Sequence, residues 1–143
     1  MGLSIFCGEM NMKVGNYSTV HEQRTGWLRA EAKRHESVGR RYEAKAIFNV
    51  IKNNEIDYSL LAYLNDNFLL DGTKEFIYHS DCEGYWTPQH CQLILEAIDR
   101  LRPFLRDTKE CGCPLYMHSL TNQYYLENIL NESVKSSNNI YFC

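Results

Sequence analysis

Nowhere in its 143 residues does the chain carry an apolar run long enough to cross a bilayer as a helix. Its first residues, Met1-Gly2-Leu3-Ser4-Ile5-Phe6-Cys7-Gly8, lack both the basic flank and the long apolar stretch of a secretory leader. Phe6 also stands where a myristoylation start needs serine or threonine. A basic excess is missing as well. The formal net charge of −3 argues against a protein whose main task is gripping long duplex nucleic acid. There is no glycine-rich phosphate loop, nucleophile elbow, zinc-protease helix or dinucleotide fingerprint. Internal repeats, low-complexity tracts and dividing linkers are likewise missing. These absences lead us to expect a cytoplasmic protein with no membrane partner, no long nucleic acid, no metal and no cofactor.

A chain of this length can close one core and is too short for two comfortable domains, so residues 1–143 are expected to form a single domain. Hydrophobic residues make up 44% and charged residues 23%, a globular rather than a disordered balance, and ten tyrosines supply flat, half-polar surfaces. The six cysteines are even in number, but without a leader they are expected to be reduced and mostly buried.

Leu3–Cys7 and Met10–Val14, separated by Gly8-Glu9, read as a hairpin, and Gly15-Asn16 turns the chain. Ser18 can cap a helix from about Thr19 to His35, which Gly26 weakens. Ala44, Ile47, Phe48 and Ile51 form a helical stripe that Asn53-Asn54 ends. Asp57 suits the cap of a further helix carrying Leu60, Leu61, Leu64 and Phe68, stopped by Asp71-Gly72. Phe76–Tyr78 is either extended or the last turn of another helix.

Thr87 and Pro88 open a helix with Cys91, Ile94, Leu95, Ile98, Leu101 and Leu105 along one stripe, bent or ended near Pro103. Cys111-Gly112-Cys113-Pro114 reads as a loop. Ser119 or Thr121 can cap a helix with Leu126, Ile129, Leu130 and Val134, broken by Ser136-Ser137-Asn138-Asn139. Ile140–Cys143 is then a final strand, and its natural partner is the N-terminal hairpin. The expected fold is α+β: mostly helical, with a small antiparallel sheet built from that hairpin and the C-terminal strand.

The densest chemistry lies in His79-Ser80-Asp81-Cys82-Glu83-Gly84, followed by Pro88 and Cys91. On this stretch the chain resembles a group of small uncharacterised bacterial and phage proteins that share His-Ser-Asp-Cys-Asp/Glu-Gly, then Pro and Cys opening a helix. A looser likeness extends to Tyr17-Ser18 and to the closing helix and strand. The resemblance implies a coherent fold and brings no activity with it.

Three chemistries can be asked of these residues. His79-x-x-Cys82 with Cys111-x-Cys113, and Cys91 or His118 as substitutes, would make a tetrahedral zinc set. Against it, paired C-x2-C knuckles are absent and Cys91 begins an apolar stripe. A calcium loop aligned on Gly84 would put His90 where a bidentate carboxylate is needed, which excludes an EF-hand. A Cys82 nucleophile activated by His79 or His90 is the enzymatic reading. The plainer reading has His79 and Asp81 bracing the loop through hydrogen bonds.

A second candidate site lies upstream. On the first helix Tyr17, Val20, Arg24, Trp27, Leu28 and Glu31 share a stripe, which puts Arg24 where an apolar residue belongs. Its partner is Glu31, Asp81 or an anion brought by a ligand. With Arg40, Arg41 and Tyr42 nearby in sequence, these residues combine stacking surfaces with bidentate donors. The leading expectation is therefore a non-enzymatic binder of a small anionic ligand, in concrete form a phage-type sponge for a nucleotide signal of host defence. Its ligand-binding residues would be Tyr17, Arg24, Trp27, Arg40, Arg41, Tyr42, His79 and Asp81. A cysteine/histidine enzyme and a tyrosine-rich protein-interaction module with a structural zinc are the alternatives. Self-association as a homo-oligomer is also expected.

Overall fold

Gly8, in the left-handed region at φ +61, lets β1 (Leu3–Cys7) turn back as β2 (Met10–Gly15). The computed structural model describes residues 3–15, 17–53, 55–64, 66–79, 84–105 and 116–142, apart from the side chains at 3, 12–15, 17–19, 66 and 116–122. As expected, the C-terminal strand β6 (Ile140–Phe142) pairs antiparallel with β1. A strand that the sequence did not reveal, β5 (Tyr85–Trp86), adds to the far side of β6 and gives the order β2-β1-β6-β5. Two residues are too few for alternation to show. The fold is α+β and mostly helical, and the sheet joins the two ends of the described chain.

Period-two alternation splits the sheet into two faces. Ile5, Cys7, Trp86 and Ile140 point inward and are buried, whereas Tyr85 and Tyr141 point outward and Phe6 is half-buried. Helices α1 (Tyr17–Ser37), α5 (Pro88–Leu105) and α6 (Tyr116–Ser136) close over the inner face. Trp27, Leu28, Ile94, Ile98, Ile129 and Leu130 fill the space between them. At the start of α5 the Thr87 hydroxyl accepts the His90 amide at 3.2 Å, the cap that Thr87-Pro88 implies. Pro103 lies in the last turn, and the helix continues to Leu105.

Several boundaries differ from the sequence reading. Helix α2 (Arg41–Phe48) stops before Ile51, which instead opens a two-stranded hairpin of β3 (Ile51–Lys52) and β4 (Glu55–Ile56). Asn53 makes that return possible by adopting φ +53, a conformation asparagine tolerates. Asp57 does cap a helix, accepting the Leu60 amide at 3.2 Å, but α3 (Tyr58–Leu61) is a single turn and Phe68 falls in a separate 3-10 turn, Asp66–Phe68. Asp71-Gly72 starts a helix instead of stopping one: α4 spans Asp71–Tyr78, so Phe76–Tyr78 is its last turn. Gly72 serves close packing there. A Cβ at this position would lie 2.0 Å from the Leu93 carbonyl oxygen of α5. Cys111–Pro114 lies outside the described residues.

Candidate functional site

Helix α1 is central, and it buries Gln23, Arg24, Thr25, Glu31 and His35. Polar groups taken out of water need partners, and the partners of these side chains define what each can do. Arg24 is only 6% exposed, and its Nη2 donates to the His79 carbonyl oxygen at 2.7 Å. His79 caps the C-terminus of α4, where unmatched carbonyls and the helix dipole present partial negative charge. The guanidinium also lies over the Phe76 ring, 5.8 Å from its centroid. The inward cation therefore meets the end of a helix.

Glu31 is not the partner that the shared stripe suggested. Fully buried, it accepts Arg34 Nε at 2.8 Å and the Leu70 amide at 2.6 Å. Trp27 is 1% exposed, stacks on Phe76 at 4.3 Å and donates its Nε1–H to Gln123 Oε1 at 2.9 Å. Such an indole is core and has no free face for a base. The His79 imidazole stacks on Phe142 at 4.1 Å, meets Trp86 edge-on at 5.3 Å and donates through Nε2 to the Tyr85 carbonyl at 3.3 Å. The contacts brace the loop ends, in line with the plainer reading of this residue. Asp81 and Cys82 lie outside the described residues, as does the side chain of Tyr17.

The two described cysteines are poor nucleophiles. Burial pushes the Cys91 thiol up to about 11, and burial likewise raises Cys7. Among the described residues no three His, Cys, Asp or Glu side chains converge as a metal site would require. Nor is any helix among them long and apolar enough to cross a membrane.

Arg40, Arg41 and Tyr42 form a separate surface. Thirteen helical residues lie between Arg24 and the end of α1, so the two groups are about 20 Å apart along the axis. Tyr42, 77% exposed, and Tyr63, 88% exposed, both line an open cleft of about 400 Å³, and the Tyr42 ring meets Phe68 edge-on at 6.5 Å. Ala46 of α2, with Asn49 and Val50 just past its end, forms one wall; Leu60, Leu64 and Phe68 form the other. At 100° per residue Tyr42, Ala46 and Asn49 share a face of α2, and exposed Arg41 and Lys45 flank it. Arg40 precedes the helix, and among the described residues no side chain caps the first amides of α2. Glu43 is the acidic group in that turn.

The far wall of the cleft is held from behind. Phe68 accepts His35 Nε2 at 2.6 Å and Arg34 Nη2 at 3.4 Å on its carbonyl, while Glu31 holds the Leu70 amide. A carbonyl only accepts, so Nε2 of His35 carries a proton. These buried bonds fix the Phe68–Leu70 segment to α1 and shape the cleft in advance of any ligand. Tyr63 and the wall residues were not foreseen, because the sequence reading made Leu60, Leu64 and Phe68 one continuous helix.

No family model, no curated protein and no solved structure matches the chain.

Proposed function

We propose that the protein is a non-enzymatic binder of a small aromatic anion of nucleotide type, held at the Tyr42–Tyr63 cleft. One observation carries this reading: two strongly exposed tyrosines line an open cleft whose size suits a small ligand, and one of them, Tyr42, lies within one helical turn of Arg40, Arg41 and the start of α2. A base would stack on the exposed phenol rings, and phosphate would meet the guanidinium groups and the first amides of α2. Arg24, Trp27 and His79 fall to a structural role. In its concrete form the protein is a stoichiometric sink for a nucleotide signal, cytoplasmic and self-associating.

Mass spectrometry of small molecules released from the purified chain, with thermal shifts across mono-, di- and cyclic dinucleotides, tests the proposal. A ligand at a hundred times its Kd stabilises the fold by about 2.7 kcal/mol, a shift that Tyr42→Ala and Arg41→Ala should abolish. No released nucleotide and no shift across the panel would end it.

A protein-interaction module is the second reading, favoured by one fact. All eight tyrosines with described side chains are exposed. Light scattering and cross-linking distinguish it from a small-ligand site.

A further inference from the structure

The outer face of the sheet presents a row of rings in register. Phe6 of β1 stands opposite Tyr141 of β6, and Tyr141 stands opposite Tyr85 of β5. Strands sit 4.7–4.9 Å apart, so the row is about 10 Å long, the length of a disaccharide. Tyr141 and Tyr85 are 53% and 52% exposed, with ring centroids 5.9 Å apart and planes tilted by 43°. Beside the row lies a depression of about 390 Å³ lined by Phe6, Gly8, Ser137, Asn138, Asn139 and Tyr141.

The polar side of this depression is held in place. Ser133 Oγ donates to the Asn138 carbonyl at 2.6 Å, and Ser137 is kept at φ +61, so the two asparagine amides project from a fixed turn. Asn139 Nδ2 reaches the Tyr141 hydroxyl at 3.5 Å. Across the turn, Gly8 at φ +61 lies beside the Asn138 amide, at ordinary contact distance from where a Cβ would stand.

None of the residues in the ring row or the lining of the depression carries a charge. The hairpin turn beside them adds only Glu9, an anion. On the same face β2 places Asn11 opposite Phe6 and Lys13 opposite Ser4, one register step beyond the row, so a phosphorylated or carboxylated ligand would find no counter-charge among the rings or the lining of the depression. What fits is a neutral molecule with an apolar ring face and many hydroxyls. Its C–H face packs on the tyrosine rings, while its hydroxyls exchange hydrogen bonds with amides that both donate and accept.

From this geometry we infer that the outer sheet face binds an uncharged oligosaccharide, laid across the strands over Phe6, Tyr141 and Tyr85. The site shares no residue with the Tyr42–Tyr63 cleft, so the two proposals stand or fall separately.

The test is the full chain on a printed array of neutral, sialylated and sulfated glycans, followed by titration of the best neutral glycan in solution. Binding of neutral glycans is expected. Tyr141→Ala and Tyr85→Ala should each weaken it about tenfold, the equivalent of about 1.4 kcal/mol per ring, while Tyr141→Phe, which keeps the ring face, retains it. Unchanged melting of both alanine variants checks that they fold, and Asn138→Ala, off the strands, tests the amide side independently. An empty array, binding confined to charged glycans, or neutral binding indifferent to all three alanine variants would overturn the inference.

Discussion

Replacing Gly72 by alanine should separate two helices that nothing else in the fold can relax. The added Cβ would lie 2.0 Å from the Leu93 carbonyl oxygen, 2.5 Å from its carbonyl carbon and 2.8 Å from the Ile94 Cα. Every one of these is a backbone atom in the middle of α5, so no side chain can swing aside. Ordinary contact begins at 3.4 Å, which leaves the nearest pair about 1.4 Å too close. Relief requires α4 to lift from α5, loosening Phe76 and Ile77 against Ile94, Ala97 and Ile98, all buried. Overpacking against rigid backbone costs about 3 kcal/mol, the top of the usual range. Alanine's better helix propensity returns about 1 kcal/mol. A net loss of about 2 kcal/mol is a large share of a domain's usual stability, and at about 3 °C per kcal/mol the melting midpoint should fall by about 6 °C. Urea unfolding followed by the fluorescence of the buried Trp27 and Trp86 measures it directly. Gly39→Ala is the control: among the described residues nothing lies within 4 Å of its Cβ, and the backbone at φ +80 objects, for about 1 kcal/mol. If Gly72→Ala proved more stable than the parent, the helix gain would be unopposed and the close approach of α4 to α5 refuted.

Two further outcomes follow from the buried polar groups. Arg24→Met keeps the apolar stem but leaves the end of α4 without its charged donor, and should cost about 2 kcal/mol in urea unfolding; a nucleotide-induced thermal shift should survive it, since Arg24 lies outside the cleft. Cys91 ties stability to alkaline pH: its thiol goes from an ordinary value of 9.0 to about 11 in the fold, so its contribution is complete below pH 9 and is lost as pH rises to 11, by about 3 kcal/mol in all. Cys91→Ala should lack that part of the slope, and in the parent chain iodoacetamide at neutral pH should reach Cys91 only after unfolding; equal slopes or fast labelling would contradict the burial argument.

Legibility tracked the range of the interactions. Thr87-Pro88 and Asp57 were readable because a cap is settled within three residues, and the Cys91–Leu101 stripe because one buried face repeats at helical spacing. The pairing of the chain's two ends followed from the cost of leaving a strand's amides unmatched. Ile51 shows where local pattern misleads, since it continued a stripe in spacing yet belongs to a hairpin turned by Asn53. Of the residues lining the cleft, only Tyr42 stands among the ligand residues expected from sequence; Tyr63 and Phe68 reach the same space only because the short α3 breaks off before them.

Composition and periodicity were enough to settle the class of fold, the capped starts at Asp57 and Thr87, and the pairing of the N-terminal hairpin with the C-terminal strand, all consequences of short-range sterics and burial of one face. Which group answers a buried charge was not among them. Arg24 finds a carbonyl 55 positions away, Gly72 is shaped by the backbone of another helix, and three rings fall into line through strand register. Such matches depend on where separate elements come to rest against each other, a distance in space that spacing along the chain does not encode.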